Sequence, residues 1–200
     1  MSETVYQLGN SLYLNITNRC TNRCVFCIRN FTDRVGDKKL VLHKEPSSLE
    51  IIESLKKIDL RLYKEVVFCG FGEPLIRVEV VKKISSFIKH SYPSTPIRID
   101  TNGHGNIFNQ RNIVPEISPY IDAISISLNA ESKEKYNRLS RPIFSDAYEA
   151  VIEFIKVSKM HIKDVTVSVV NLPIVDIKKC EKIAEDLKVN FKLRDFVRSL

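Results

Sequence analysis

Six short runs rich in β-branched and aliphatic residues recur along the 200-residue chain, with amphipathic segments between them. They are Leu12–Thr17, Glu65–Cys69, Ile97–Thr101, Ala123–Leu128, Val165–Val170 and Phe191–Arg194. Their apolar content reads as nearly continuous, as expected for parallel strands covered on one face and packed inside on the other. Ser47 or Ser48 can cap a first helix, with Glu50 or Glu53 in its early turns and Leu49, Ile52, Leu55 and Lys56 spaced at three and four. Val78–His90 and Asp146–Ser158 behave similarly, and a last helix runs from Asp176, as N-cap, to Leu187. Strands alternating with helices predict a parallel sheet with right-handed crossovers. Periodicity alone leaves two forms open, a barrel-like arc and a doubly wound sheet.

The length suits one domain over residues 1–200, with no linker, repeat or low-complexity stretch and no auxiliary domain expected. An apolar fraction of 44% excludes a disordered or collagen-like chain. No apolar run approaches the roughly 18–20 residues that span a bilayer, and the first residues do not read as a secretory signal. Five cysteines, three of them clustered, do not resemble an extracellular disulfide framework, so the cytoplasm is the expected compartment. Lysine and arginine outnumber acids by 31 to 24. That balance fits an anionic substrate, a nucleic acid or an acidic electron donor, but most basic residues sit beside acids in helix-like segments, as on a solvated surface. No arginine-rich arm or aromatic-studded module argues for direct nucleic-acid binding.

The chemistry concentrates in Cys20-Thr-Asn-Arg-Cys24-Val-Phe-Cys27, on the loop that leaves the first strand. Three thiolates from one turn can hold three irons of a cubane cluster and leave the fourth open to a small molecule, whereas electron-transfer clusters use four cysteines. Structural zinc wants four closed ligands as two pairs. Here there is a triplet, and the nearest histidine is His43. In barrel-like α/β folds, chemistry gathers at the C-terminal strand ends. Those ends carry the cysteines, Gly70-Phe-Gly-Glu-Pro74, Asp100-Thr-Asn-Gly103, Ser127-Leu-Asn129, Asn171 and Arg194-Asp195.

The C-x3-C-x2-C spacing, with Phe26 before the last cysteine, resembles the radical S-adenosylmethionine (SAM) superfamily. Gly70-Phe71-Gly72-Glu73-Pro74 resembles its Gly-Gly-Glu-Pro motif, with Phe71 in place of the second glycine. The opening Leu-Gly-Asn-x-Leu-Tyr-Leu-Asn, the later Thr-Asn-Gly-His and Ser-Ile-Ser-Leu-Asn-Ala are similar to the small TatD-associated members, from Leu8 to about Arg194. The resemblance implies a partial (β/α)6 barrel with helices outside. It implies a 4Fe–4S cluster on Cys20, Cys24 and Cys27, and reductive cleavage of SAM to a 5′-deoxyadenosyl radical that abstracts hydrogen from a substrate the sequence does not name. It also implies an electron donor such as flavodoxin or ferredoxin, and a possible association with a TatD-type nuclease.

For SAM contacts the expectation is Phe26, Gly70, Phe71, Gly72, Glu73, Thr101, Asn102, Ser127 and Asn129, with Ser125 on the same strand face. Carbonyls around Phe71 and the Glu73 carboxylate would receive the ammonium group, glycine allowing close approach. Arg138 and Arg141 could pair with the SAM carboxylate or equally stand on a solvated helix end. Asn15 and Thr17 could orient the cysteine loop, Arg29 follows it, and His104, Arg194 and Asp195 are candidates for substrate contact. Cys69 and Cys180 read as small buried apolar residues rather than ligands of a second cluster. Two other readings remain, an activase that installs a glycyl radical on a partner protein, and an iron–sulfur or zinc interaction module without turnover.

Overall fold

The computed structural model describes residues 3–197. Seven strands form one sheet. β1 (Val5–Leu8) runs antiparallel to β2 (Ser11–Leu14). A small two-stranded ribbon, β3 (Arg34–Val35) with β4 (Lys38–Lys39), stands apart. The main sheet continues with β5 (Glu65–Phe68), β6 (Ile97–Thr101), β7 (Ala123–Ser127), β8 (Asp164–Val170) and β9 (Asn190–Arg194). From β2 to β9 the six strands are parallel and lie in chain order. This is the six-unit arc of a partial barrel. β1 was not expected; its residues are too few to register as a periodic run, and Tyr6 stacking on Tyr13 ties it to β2.

The outer layer comprises α1 (Ser48–Leu55), α2 (Val78–Ser91), α3 (Gly105–Asn109), α4 (Val114–Ile117), α5 (Lys133–Ser140), α6 (Ala147–His161) and α7 (Ile177–Asp186). Ser47 and Glu50 form a reciprocal capping box on α1, and Asp176 caps α7 through the Lys179 amide. Val81, Ile84 and Ile88 of α2 and Val151, Phe154 and Ile155 of α6 are buried at helical spacing. On α1 the expected stripe is shifted. Leu49 is 70% exposed, and Ile51 with Leu55 supplies the buried contact. No helix among the described residues is long and apolar enough to cross a membrane.

β5 keeps a continuous buried apolar run, Val66-Val67-Phe68, but β6 and β7 do not. They alternate, and the alternation creates the site. One register row, Leu14, Phe68, Ile99, Ile124 and Val165, crosses five strands and is buried in the core. The next row across the middle strands is Asp100, Ser125 and Thr166, on the opposite face. The inner face of the arc is therefore polar, lining a cavity rather than a second packed core. β6 shows the pattern most clearly in Ile97-Arg98-Ile99-Asp100.

Candidate functional site

A cavity of about 460 Å³ occupies the inside of the arc. Phe26, Gly70, Phe71, Ser127 and Asn129 line it as expected, together with Ser125, Arg194 and Asp195. Tyr6, Tyr13, Cys69, Arg98 and Lys192 also line it and were missed as site residues, and Asp100, expected at the strand-end rim but given no role, lines it too. The Ile-Arg-Ile-Asp alternation was the signal that could have found Arg98 and Asp100. Arg98 forms two bonds to Glu65, at 3.0 and 3.1 Å, and another to Asp100. Against the opposing effect of burial, those carboxylates hold its guanidinium charged. Lys192 and Arg194 have no carboxylate partner among the described residues.

The cysteine loop closes one end of this space. Cys20, Cys24 and Cys27 are free, partly exposed thiols beside a second cavity of about 350 Å³, walled also by Arg29, Asn30 and Phe71. Cys27 and Phe71 line both cavities. Among the described residues, no three His, Cys, Asp or Glu converge on a single-ion position. The thiols instead border a space suited to a larger group, and an all-sulfur donor set suits an iron–sulfur cluster. Burial pushes the Cys20 and Cys24 thiols up to about 11 and about 12, so ligation must displace their protons.

The loop is held by a buried network. Asn102 Nδ2 donates to Thr21 Oγ1 at 2.8 Å and faces Cys20 Sγ at 3.6 Å. Asn22 Nδ2 donates to the Tyr136 hydroxyl. Asn30 Nδ2 donates to the carbonyls of Cys24 and Val25. Arg29 donates to the Asn18 and Phe71 carbonyls, so one acceptor expected to face a ligand already has a donor. Asn15 bonds the Leu40 carbonyl and the Phe71 amide, while Thr17 bonds Glu45.

Four expected contacts do not line the inner cavity. Glu73 is 3% exposed; its oxygens accept from Leu75 N, Thr101 Oγ1 and Asn102 N at 3.0, 2.7 and 2.6 Å. Burial raises its pKa to about 7 despite those donors. Glu73 thus staples the glycine turn to the exit of β6, where an open ammonium acceptor was expected, and Thr101 and Asn102 form the other half of the staple. Gly72 is needed for the chain's own packing: a Cβ there would lie 2.4 Å from the Thr17 carbonyl oxygen. Phe71 turns its ring into a small cluster with Tyr6 and Leu40.

The Cys69 expectation is corrected, and of the two readings of Arg138 and Arg141 the structure gives the solvated helix end. Arg138 and Arg141 are exposed on and just after α5, away from the inner cavity. Cys69 borders the lumen rather than lying among apolar side chains; burial first, then Asp100, raises its thiol pKa. Cys180 is buried at 0% exposure, as expected. Neither has a neighbouring cysteine, so Cys69→Ser and Cys180→Ser together should leave iron per chain unchanged. Cys180→Ser alone should destabilise by about 1–2 kcal/mol. A halving of iron in the double variant would reveal an auxiliary centre.

His104 is fully buried rather than open to substrate. Its Nδ1 bonds Thr21 Oγ1 at 2.8 Å and its Nε2 the Tyr136 hydroxyl at 2.9 Å. Burial lowers its pKa from 6.5 to about 4, against the opposing effects of a hydrogen bond with the Ala147 backbone and of the Asp146 carboxylate. Between those values the unfolded chain binds more protons than the folded one. The stabilisation is complete above about pH 6.5 and is lost as pH falls toward 4, about 2 kcal/mol by pH 5. His104→Gln should remove that portion of the pH dependence, read from urea midpoints at pH 7 and 5. Parallel pH dependence in both proteins would refute the assignment.

A family model for the radical SAM superfamily matches residues 14–187. A GTP 3′,8-cyclase of Lactiplantibacillus plantarum is 27% identical over 165 residues, 82% of this chain and 46% of that protein. The chain spans less than half the length of that curated relative. Native anSMEcpe with bound AdoMet has a similar fold, with a TM-score of 0.68 at 17% identity over 92% of this chain and 50% of that one. SuiB of Streptococcus suis has a TM-score of 0.69 at 14% identity, over 94% of this chain and 40% of that one. At these identities the solved structures speak to the fold alone.

Proposed function

The chain belongs to the radical SAM superfamily, an enzyme family using a 4Fe–4S cluster and SAM, and from that premise we propose how its own residues divide the work. Cys20, Cys24 and Cys27 would hold the cluster, leaving one iron for SAM. When bound, the pair supplies reductive carbon–sulfur cleavage and a 5′-deoxyadenosyl radical for hydrogen abstraction from substrate. Gly70, Phe71, Phe26, Ser125, Ser127 and Asn129 would orient SAM within the arc. Glu73, Thr101 and Asn102 act behind them by fixing the turn and the cysteine loop. Arg29 and His104 hold that loop through backbone and side-chain bonds, and the partly closed arc limits access by water.

The observation that carries this reading is the position of Cys27, which borders both the thiol cavity and the inner cavity. A group on the three thiols would open directly onto the space for SAM and substrate. Lys192 and Arg194 on the far wall favour an anionic substrate; the curated relative's name specifies GTP, which is also anionic. The motif resemblance supports a TatD-type nuclease partner, and the cysteine usage with an oxygen-sensitive cluster favours a cytoplasmic setting. The test is anaerobic reconstitution, chemical reduction and addition of SAM. Formation of 5′-deoxyadenosine is expected; none above a protein-free control would overturn the proposal.

A further inference from the structure

Asn102, the residue that follows β6, joins the glycine turn to the first thiol. Its backbone N–H donates to Glu73 Oε2 at 2.6 Å, and its Oδ1 accepts the His104 backbone N–H at 3.0 Å. A backbone N–H can only donate, so the second bond fixes which end of the side-chain amide is oxygen. Nδ2 therefore carries both of its donors toward the cysteine loop. One N–H goes to Thr21 Oγ1 at 2.8 Å, and Cys20 Sγ stands 3.6 Å from the same nitrogen. Thr21 and His104, which hold the amide, are buried at 1% and 0% exposure, so it has no room to swing away.

A second N–H reaches the same sulfur, because Asn22 N donates to Cys20 Sγ at 3.4 Å. Sulfur is larger than oxygen, and both separations are contact distances for an N–H···S bond. Among the described residues, no side-chain amide bonds the sulfur of Cys24 or Cys27. Asn30, which also walls the thiol cavity, directs its Nδ2 to the Cys24 and Val25 carbonyls. Asn22 directs its own Nδ2 to the Tyr136 hydroxyl. The three thiols are thus electrostatically unequal. Each N–H turns the positive end of its dipole to Cys20, and a reduced iron–sulfur cluster carries one more negative charge, shared by its sulfurs. Donors at a sulfur therefore favour the reduced form.

We infer that Asn102 is a redox-tuning residue, its side-chain N–H bonding the Cys20 thiolate and raising the reduction potential of the cluster held there. The inference rests on the proposed cluster site at Cys20, Cys24 and Cys27. The step it bears on is the addition of one electron to the oxidised cluster by an external reductant. Asn102 makes and breaks no covalent bond in that step and keeps its protons. Its backbone bond to Glu73 sets the height of the donor, so the turn assigned to SAM and the charge on Cys20 share one residue.

The test is an anaerobic redox titration of the reconstituted holoprotein without SAM, poised with dithionite and mediator dyes and read by the paramagnetic resonance of the reduced cluster. Asn102→Leu keeps the size of the side chain and removes the donor. At the wild-type midpoint its oxidised-to-reduced ratio should rise about tenfold, which for one electron is a shift of about 59 mV to lower potential. Thr21→Val is the matched control. It cuts the same Asn102–Thr21 bond but leaves Nδ2 facing Cys20, and its ratio should stay within about twofold of wild type. If Asn102→Leu holds no iron, the wild-type holoprotein carries the test. With asparagine labelled in heavy nitrogen only at the side-chain amide, pulsed resonance of the reduced cluster should show a weakly coupled labelled nitrogen. An unchanged potential in Asn102→Leu, an equal shift in Thr21→Val, or no coupled amide nitrogen overturns the inference and leaves the cluster assignment standing. A wild-type chain with no reducible cluster overturns that assignment first, and this inference with it.

Discussion

Replacing Cys20, Cys24 and Cys27 together with alanine should remove the bound iron and leave 5′-deoxyadenosine at background, while the chain still folds. The three thiols are only partly buried and none belongs to the main apolar core. That core is built from the outer faces of β2 and β5 to β8 and the helices against them, and the substitution does not touch it. The loop keeps its brackets as well: Arg23 N to Ser140 O, Val25 N to Leu139 O, and Asn30 Nδ2 to the Cys24 and Val25 carbonyls. The loss should therefore appear in iron per chain and in the visible absorbance band, with the apo-protein urea midpoint within about 1 kcal/mol of wild type. Retention of half the iron would place the cluster on other ligands. Collapse of the apo fold would show that the thiols support structure independently of any cluster.

Most of the parallel strands were legible because their outer residues are β-branched and their turns carry Gly, Asn and Pro. The inner face was read only in part. Alternation placed Ser125, Ser127 and Asn129 on one face, but Arg98 and Asp100 also alternate with isoleucines, and reading that run for total apolar content hides its two-residue period. α3 and α4 span only Gly105–Asn109 and Val114–Ile117, too short to display helical periodicity. The cysteine triplet is a local pattern and so was plain. Glu73 was harder, because its partners Thr101 and Asn102 lie 28 and 29 residues away in the chain. His104 likewise meets Thr21 across 83 residues and Tyr136 across 32. Composition shows which residue can accept a hydrogen bond, whereas only the packed register shows whether another part of the chain already supplies the donor.

Gly72→Ala should destabilise the fold by about 3 kcal/mol or more and lower iron retention, although its neighbour Phe71 carries a full aromatic ring. The difference is directional. Phe71 projects toward Tyr6 and Leu40. A Cβ at Gly72 would meet the Thr17 and Arg19 carbonyl oxygens at 2.4 and 2.5 Å. Both are backbone atoms, so no rotamer change can relieve the contact. The same Arg19 carbonyl accepts the Glu73 amide at 2.8 Å, and Arg19 directly precedes Cys20. Making room for one methyl group must push Thr17–Arg19 away, weaken that bond and shift the first cysteine. Overpacking of this kind costs about 1–3 kcal/mol and sometimes more, and a lost hydrogen bond adds about 1. Gly36→Ala supplies the comparison: it has a φ of +57° but no atom within 4 Å of its added Cβ, so only backbone strain of about 1–2 kcal/mol applies. Urea midpoints and iron per chain for the two variants should separate clearly, with iron falling only for Gly72→Ala. Equal midpoints and equal iron would mean that the glycine turn does not press on the cysteine loop.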